Sequence, residues 1–209
     1  MAIIHQAELH PTKLELLNGW LPHQPWFTAA GAALRRVGSF RFDDPEGEVG
    51  IETLLVGDRS SVFQVPLSYR GSALHDAESY LIGTMQHSVL GTRWVYDACG
   101  DPCYLNAVAA AMLTGRPQAE QFLDVDGRLE AMPESVAVGS TGPLHTAVPG
   151  IGSLTVRSTD AGTVVRTGEM ELLVIRRLNL AEQPVGTAAL TGTWAGQQTP
   201  VKLAAVTVR

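Results

Sequence analysis

Cysteine, lysine and long apolar runs are all scarce in this chain, and each scarcity closes a class of function. The only cysteines are Cys99 and Cys103, too few for the disulfide framework of a small secreted domain. No apolar run reaches the roughly 20 residues that a membrane-spanning helix needs. The start "MAIIHQAELH" has neither a basic n-region nor a long apolar h-region, so it does not read as a signal peptide. A cytoplasmic location with no membrane partner is expected. Lysine is confined to Lys13 and Lys202, and 15 Lys and Arg stand against 21 Asp and Glu, for a formal charge of -6. Nucleic-acid backbones are held by clustered cations, so no nucleic-acid partner is expected. No serine nucleophile elbow, phosphate loop or dinucleotide fingerprint occurs. The "GIG" at Gly150 to Gly152 precedes a strand instead of opening a helix. No cofactor is expected.

What is present is the composition of an ordinary globule, 45% hydrophobic and 17% charged over 209 residues, long enough to bury a core as one domain or two. "AIIHQAEL" reads as a first strand. "HPTKLELLNGWL" reads as a short helix capped by Thr12, with Leu14, Leu17 and Leu21 on one face. "VGSFRFDD", "EVGIETLLVGD" and "SVFQVPLSYRG" are three strands joined by the turn sequences "DPEG" and "GDRSS", an antiparallel meander. "SYLIGTMQHSV" and "TRWVYD" add extended chain. "GDPCYLNAVAAAMLTG" is the clearest helix: Asp101 at N-cap, Pro102 at N1, Gly115 beyond the end, and Leu105, Val108 and Met112 as an apolar stripe. "FLDVDGRLEAMP" reads as a hairpin around Asp126-Gly127, and "VAVGSTGPLHTAVPGIGS" as a linker or mobile loop. Five strand-like runs follow, "SLTVRS", "GTVVRTG", "ELLVIRRLNL", "AALTGTW" and "TPVKLAAVTV".

"GWLPHQPWF" (Gly19 to Phe27), "VFQVPLSY" (Val62 to Tyr69) and "WVYDACGDPCYLNAVAAAM" (Trp94 to Met112) together resemble, in order, the N-terminal cap domain of actinobacterial maltokinases and related aminosugar kinases. The resemblance implies an α+β fold: a curved antiparallel sheet with two helices, a cystatin-like kinase cap. Residues 1–118 are expected to form that cap, and residues 119–209 a β-rich segment resembling the start of a kinase N-lobe. In "STDAGTVVRTGEMELLVIRRL" Arg176, Arg177 and Leu178 take the place of the family's Arg-Arg-Leu. The nucleotide-clamping lysine then falls on Leu173, whose side chain cannot neutralise phosphate oxygens. A catalytic loop and a C-lobe are not seen. The resemblance therefore implies a non-catalytic protein, not an enzyme, serving as a binding, regulatory or assembly module in trehalose, maltose or glycogen metabolism. The strand edges such a remnant leaves exposed make a homodimer or another protein partner the expected association.

The residues that could carry a ligand each have a plainer reading. His87, in "TMQHSVLGTRWVYD" with Arg93, Trp94, Tyr96 and Asp97, offers the mix of rings and polar donors that suits a sugar ligand or a peptide. The plainer reading is an ordinary strand and turn feeding a helix. An enzyme of unrecognised type would use His87, Arg93 and Asp97 in one pocket. Cys103, beside a helix N-terminus, could be reactive; the plainer reading makes both cysteines small, partly buried hydrophobes. The six histidines, at 5, 10, 23, 75, 87 and 145, have no zinc spacing. Asp43, Asp44, Glu46, Glu48 and Glu52 are expected at a solvated hairpin tip rather than as a hydrolytic carboxylate pair. Trp20, Trp26 and Phe27 are expected as core anchors, with a sugar-stacking platform as the sharper alternative. Adjacent strand residues face opposite ways. One of Arg176 and Arg177 should therefore point inward and the other to water, where they can pair with acids such as Glu169 or Glu171 or cap the sheet edge.

Overall fold

A computed structural model describes all residues except 1, 6, 29–33, 58–60, 126, 143–146 and 182–187. His145 and most of "GDRSS" fall outside the described residues. The chain opens with β1 (Ala2–His5) and β2 (Leu9–His10), then α1 (Lys13–Trp20), β3 (Arg35–Phe42), β4 (Gly50–Gly57) and β5 (Val62–Arg70). β6 (Leu81–His87) and β7 (Gly91–Asp97) lead into α2 (Pro102–Thr114) and the hairpin β8 (Gln121–Val125) and β9 (Arg128–Ala131). The rest is β10 (Val136–Thr141), β11 (Thr155–Thr159), β12 (Gly162–Arg166), β13 (Met170–Val174), β14 (Ala189–Trp194) and β15 (Gln197–Val208). The fold is α+β. No described helix is long and apolar enough to cross a membrane.

Both helices begin where local chemistry says they should. Thr12 accepts the Glu15 N–H at 3.3 Å while the Glu15 carboxylate accepts the Thr12 N–H at 2.7 Å, a reciprocal cap that satisfies two orphan donors. Asp101 accepts the Cys103 N–H at 3.0 Å, and Gly115 closes α2 at φ 70, a conformation that costs glycine little.

Two antiparallel six-stranded sheets form, ordered β2-β6-β7-β5-β4-β3 and β10-β14-β15-β13-β12-β11. The first is apolar on both faces, which is why "GIETLLVG" and "VFQVPL" read as continuous rather than alternating runs. Leu54, Val56, Phe63, Val65, Leu67 and Val95 pack under Leu17, Leu21 and Trp26. Phe40, Phe42, Ile51, Leu55 and Val62 form the other face, against α2 and the second sheet. α2 lies between the sheets, so it is buried almost all round. Beyond the expected stripe of Leu105, Val108 and Met112, its run Ala109 to Ala111 is also buried. A helix from the first half of the chain thus covers the second sheet.

Two expectations need correction. The glycine-rich stretch taken as a linker holds β10, paired with β14 from Val136↔Trp194 to Thr141↔Ala189. Its partner lies some fifty residues downstream, out of reach of any local composition signal. β10 also approaches β3 closely. Ser135 donates to the Ser39 carbonyl and accepts the Ser39 N–H, both at 2.9 Å. A Cβ on Gly38 would lie 2.7 Å from Val136, so only glycine fits at this β3 bulge. The second correction concerns the arginine strand. β13 stops at Val174, and the chain then crosses to the first sheet. Gln64 N–H donates to the Arg176 carbonyl at 2.8 Å and Leu178 N–H to the Val62 carbonyl at 2.9 Å. β5 pairs with β7 only over Leu67 to Arg70, which leaves its first residues an edge for this segment. Arg176 points inward and Arg177 outward, as alternation requires. The acid on Arg176 is Asp97, whereas Glu171 pairs with Arg166 and Arg209.

β1 and the β8–β9 hairpin make a third, three-stranded sheet, with β1 parallel to β8.

Candidate functional site

A cleft of about 390 Å³ opens beside the α1 face of the first sheet. Its floor is a charge cluster that four elements bring together. Arg41 on β3 stands opposite Glu52 on β4. Tyr69 comes from the end of β5, and Lys13 is the first residue of α1. One oxygen of Glu52, Oε2, accepts Lys13 Nζ at 2.5 Å, Arg41 Nη2 at 3.0 Å and Tyr69 Oη at 3.0 Å. Lys13 Nζ also lies 5.3 Å from the Tyr69 ring centre, within cation–π reach. Glu52 is 2% exposed, which corrects its expected place at a solvated tip; Asp43, Glu46 and Glu48 are exposed as expected. Burial pushes the Glu52 carboxyl up, but the Arg41 and Lys13 charges outweigh it and hold it well below the carboxylate range. Burial pulls the Lys13 ammonium down more strongly than Glu52 raises it. The Tyr69 phenol is driven up by burial and by the neighbouring carboxylate.

The rim is acidic, with Asp43, Asp44 and Glu48, and the wall carries Met85, His87, Leu90 and Arg93. Asp44 is occupied in shaping the turn: its carboxylate accepts the N–H groups of Glu46, Glu48 and Val49 at 3.2, 3.0 and 2.9 Å. His87 Nδ1 accepts the Val89 and Leu90 N–H groups at 3.2 and 3.1 Å, pinning the β6–β7 turn. Arg93 donates to the Leu90 carbonyl, while its Nε is buried with no hydrogen-bond partner.

Of the five residues singled out from sequence, the cleft takes His87 and Arg93. Trp94 and Tyr96 alternate onto the opposite side of β7 from Arg93, and the buried Tyr96 hydroxyl accepts the Leu74 N–H at 2.9 Å. Asp97 shares the parity of Arg93 but sits at the far end of the strand, against Arg176. Both carboxylate oxygens lie 2.6 Å from Arg176 Nη2, and Arg176 Nε donates to Thr163 at 2.8 Å. The guanidinium stacks 4.9 Å from the centre of the Trp26 ring. Trp26 is 1% exposed; it is a core anchor and offers no sugar-stacking surface.

The cysteines follow their plainer reading. Cys99 is buried beside Arg176, and burial raises its thiol far above the ordinary range. Burial and a hydrogen bond to Asp44 push the Cys103 thiol up to about 12. Neither is a thiolate at neutral pH. At pH 8, an aromatic disulfide reagent is expected to label both thiols much faster in urea than in the native protein. A native reaction as fast as the unfolded one would contradict these shifts. Among the described residues, no group of His, Cys, Asp and Glu is arranged to hold a metal ion.

The sequence carried no expectation for Lys13, Arg41 and Tyr69 and placed Glu52 at a solvated tip. A signal for two of them existed. Folding "RFDDPEGEVGIE" about the Asp44 turn sets Arg41 opposite Glu52 on a strand whose neighbours are apolar.

No curated protein matches the chain in sequence. The family comparison stops at Asp101, short of α2, and nothing in it extends to the N-lobe likeness of the second half. The elements it does span, from Trp20 through the meander to the Asp101 cap, carry most of the first sheet and of the cleft floor. Residues 20–101, under half of the chain, match the family model of the maltokinase N-terminal cap domain.

Proposed function

We propose that the protein is a non-catalytic cap-type module that binds a small polyhydroxylated molecule in the cleft over Glu52, as a binding or regulatory component of trehalose, maltose or glycogen metabolism in an actinobacterium. The observation that carries this reading is the cleft itself, in which fixed cations, a phenol and acidic oxygens line one cavity together with the apolar wall of Met85 and Leu90. Groups already held by ion pairs need no reordering when hydroxyls replace water on them, which keeps the cost of binding low. A volume of about 390 Å³ lies at the small end for ligand sites, a size for a mono- or disaccharide. The non-catalytic part is supported by Leu173 at the lysine position, by the raised thiols, and by Asp97, which is committed to Arg176 rather than to His87 and Arg93.

Melting the protein with maltose, trehalose and glucosamine tests this directly. A ligand at a hundredfold its dissociation constant adds about 2.7 kcal/mol, or roughly 5–11 °C for a chain of this size. Arg93→Ala is expected to remove the shift and leave the unliganded melting temperature within about 4 °C, since the half-buried arginine lies outside the two hydrophobic cores and donates to the Leu90 carbonyl of its own turn. No shift with any of the three sugars counts against the reading. Turnover of a sugar that disappears in His87→Ala would overturn the non-catalytic part and favour the enzyme reading.

A further inference from the structure

We propose that two copies of the chain associate through β9, whose outer edge is complementary to itself in one register. The hairpin fixes which backbone groups face out. Met132 N–H donates to the Gln121 carbonyl at 2.8 Å, so Met132, Glu130 and Arg128 turn their backbone groups toward β8. Leu129 and Ala131 therefore aim their N–H and C=O groups outward. Residues 127–135 are exposed throughout, so no part of the described chain covers this edge. Leu129 is 47% exposed and Met132 38%, two large apolar side chains at one edge.

A second copy fits antiparallel about a two-fold axis at Leu129. The two Leu129 residues then exchange both backbone hydrogen bonds. Arg128 of each copy falls opposite Glu130 of the other, giving two opposite-charge cross-strand pairs. Shifting the axis to Ala131 sets Glu130 opposite Met132 and loses both pairs. Charges on an edge strand ordinarily prevent pairing; here, two residues apart and of opposite sign, they select one pairing. Among the described outer strands, none but β9 carries both signs. β3, for instance, offers arginines alone and β11 only Arg157. The dimer would join the two small sheets into one sheet of six strands. With only Arg128, Leu129 and Glu130 of the strand paired on each side, it belongs to the weak, concentration-dependent class.

Sedimentation equilibrium of the whole chain, over roughly 5–500 µM, is the test. A monomer–dimer equilibrium is expected. Arg128→Glu and Glu130→Arg should each raise the dissociation constant by roughly tenfold or more, by setting like charges opposite one another. The double variant R128E/E130R restores complementarity in the same register and should recover the wild-type constant. Leu129→Cys should cross-link to its copy under mild oxidation, because a hydrogen-bonded antiparallel pair holds its Cα atoms about 5.5 Å apart, within disulfide reach. Glu134→Cys, outside the strand, should not cross-link at that rate. A monomer at every concentration overturns the proposal. So does a dimer indifferent to the single reversals, or one that the double variant fails to restore. If a single reversal unfolds the hairpin, the double variant and the Leu129→Cys cross-link still decide.

Discussion

Asp97→Ala is expected to lower stability by about 3–5 kcal/mol, and the melting temperature by roughly 6–20 °C. The guanidinium of Arg176 is fully buried. In the wild type, its charge is met by both oxygens of Asp97 at 2.6 Å. Removing the acid leaves a cation in an apolar interior beneath Trp26, and the cost is its desolvation without compensation. The same substitution removes the acceptor of the Cys99 N–H at the turn before α2. Arg176→Lys should also destabilise, because an ammonium cannot bond Asp97 and Thr163 together while stacking on the indole. The apolar pair Asp97→Leu with Arg176→Met should recover much of the loss, since buried ion pairs gain little over well-packed hydrophobes. Thermal melts of the four proteins check this. If Asp97→Ala melts within 2 °C of wild type, the ion pair does not hold the two sheets together.

Glu52→Gln is the second large effect, expected to cost about 3 kcal/mol at pH 7 by leaving Lys13 and Arg41 beside a neutral amide. This effect depends on pH, and its sign follows from the carboxyl being held low in the fold. Unfolded, the group titrates near its ordinary 4.5. The native state therefore gains its full contribution above that value and loses it as pH falls below. Urea titrations from pH 7 to pH 3 should show wild type losing stability through the acid range. The Glu52→Gln variant, lacking this group, should lose less, so the gap between the two narrows. A gap that stays constant down to pH 3 would contradict the assignment.

Much of the fold was legible because the signals were local. The Thr12 and Asp101 caps, the Gly115 stop and the β3–β4–β5 meander rest on side chains within a few residues of the backbone they satisfy. Period-two alternation alone placed one arginine of the pair inward. The cleft was less legible. His87 and Arg93 were found because rings and polar donors cluster around them, but that cluster divides over two strand faces and two ends of β7. Glu52 sat among acids whose composition suggested solvent, and one residue of register separates a tip from a buried floor. β10 was missed for the same kind of reason, since glycine and serine between strands look like a linker until a distant strand supplies the edge.

By itself, the sequence determined most of the elements, their caps and the inward arginine. These follow from spacing and from short-range hydrogen bonds. Tertiary structure alone decided what those elements meet: α2 between two sheets, Arg176 on Asp97 seventy-nine positions away, and Lys13, Arg41 and Tyr69 on one oxygen of Glu52. The cause is physical. A buried charge must find its counter-charge wherever packing places it, and neither periodicity nor propensity carries information over that distance.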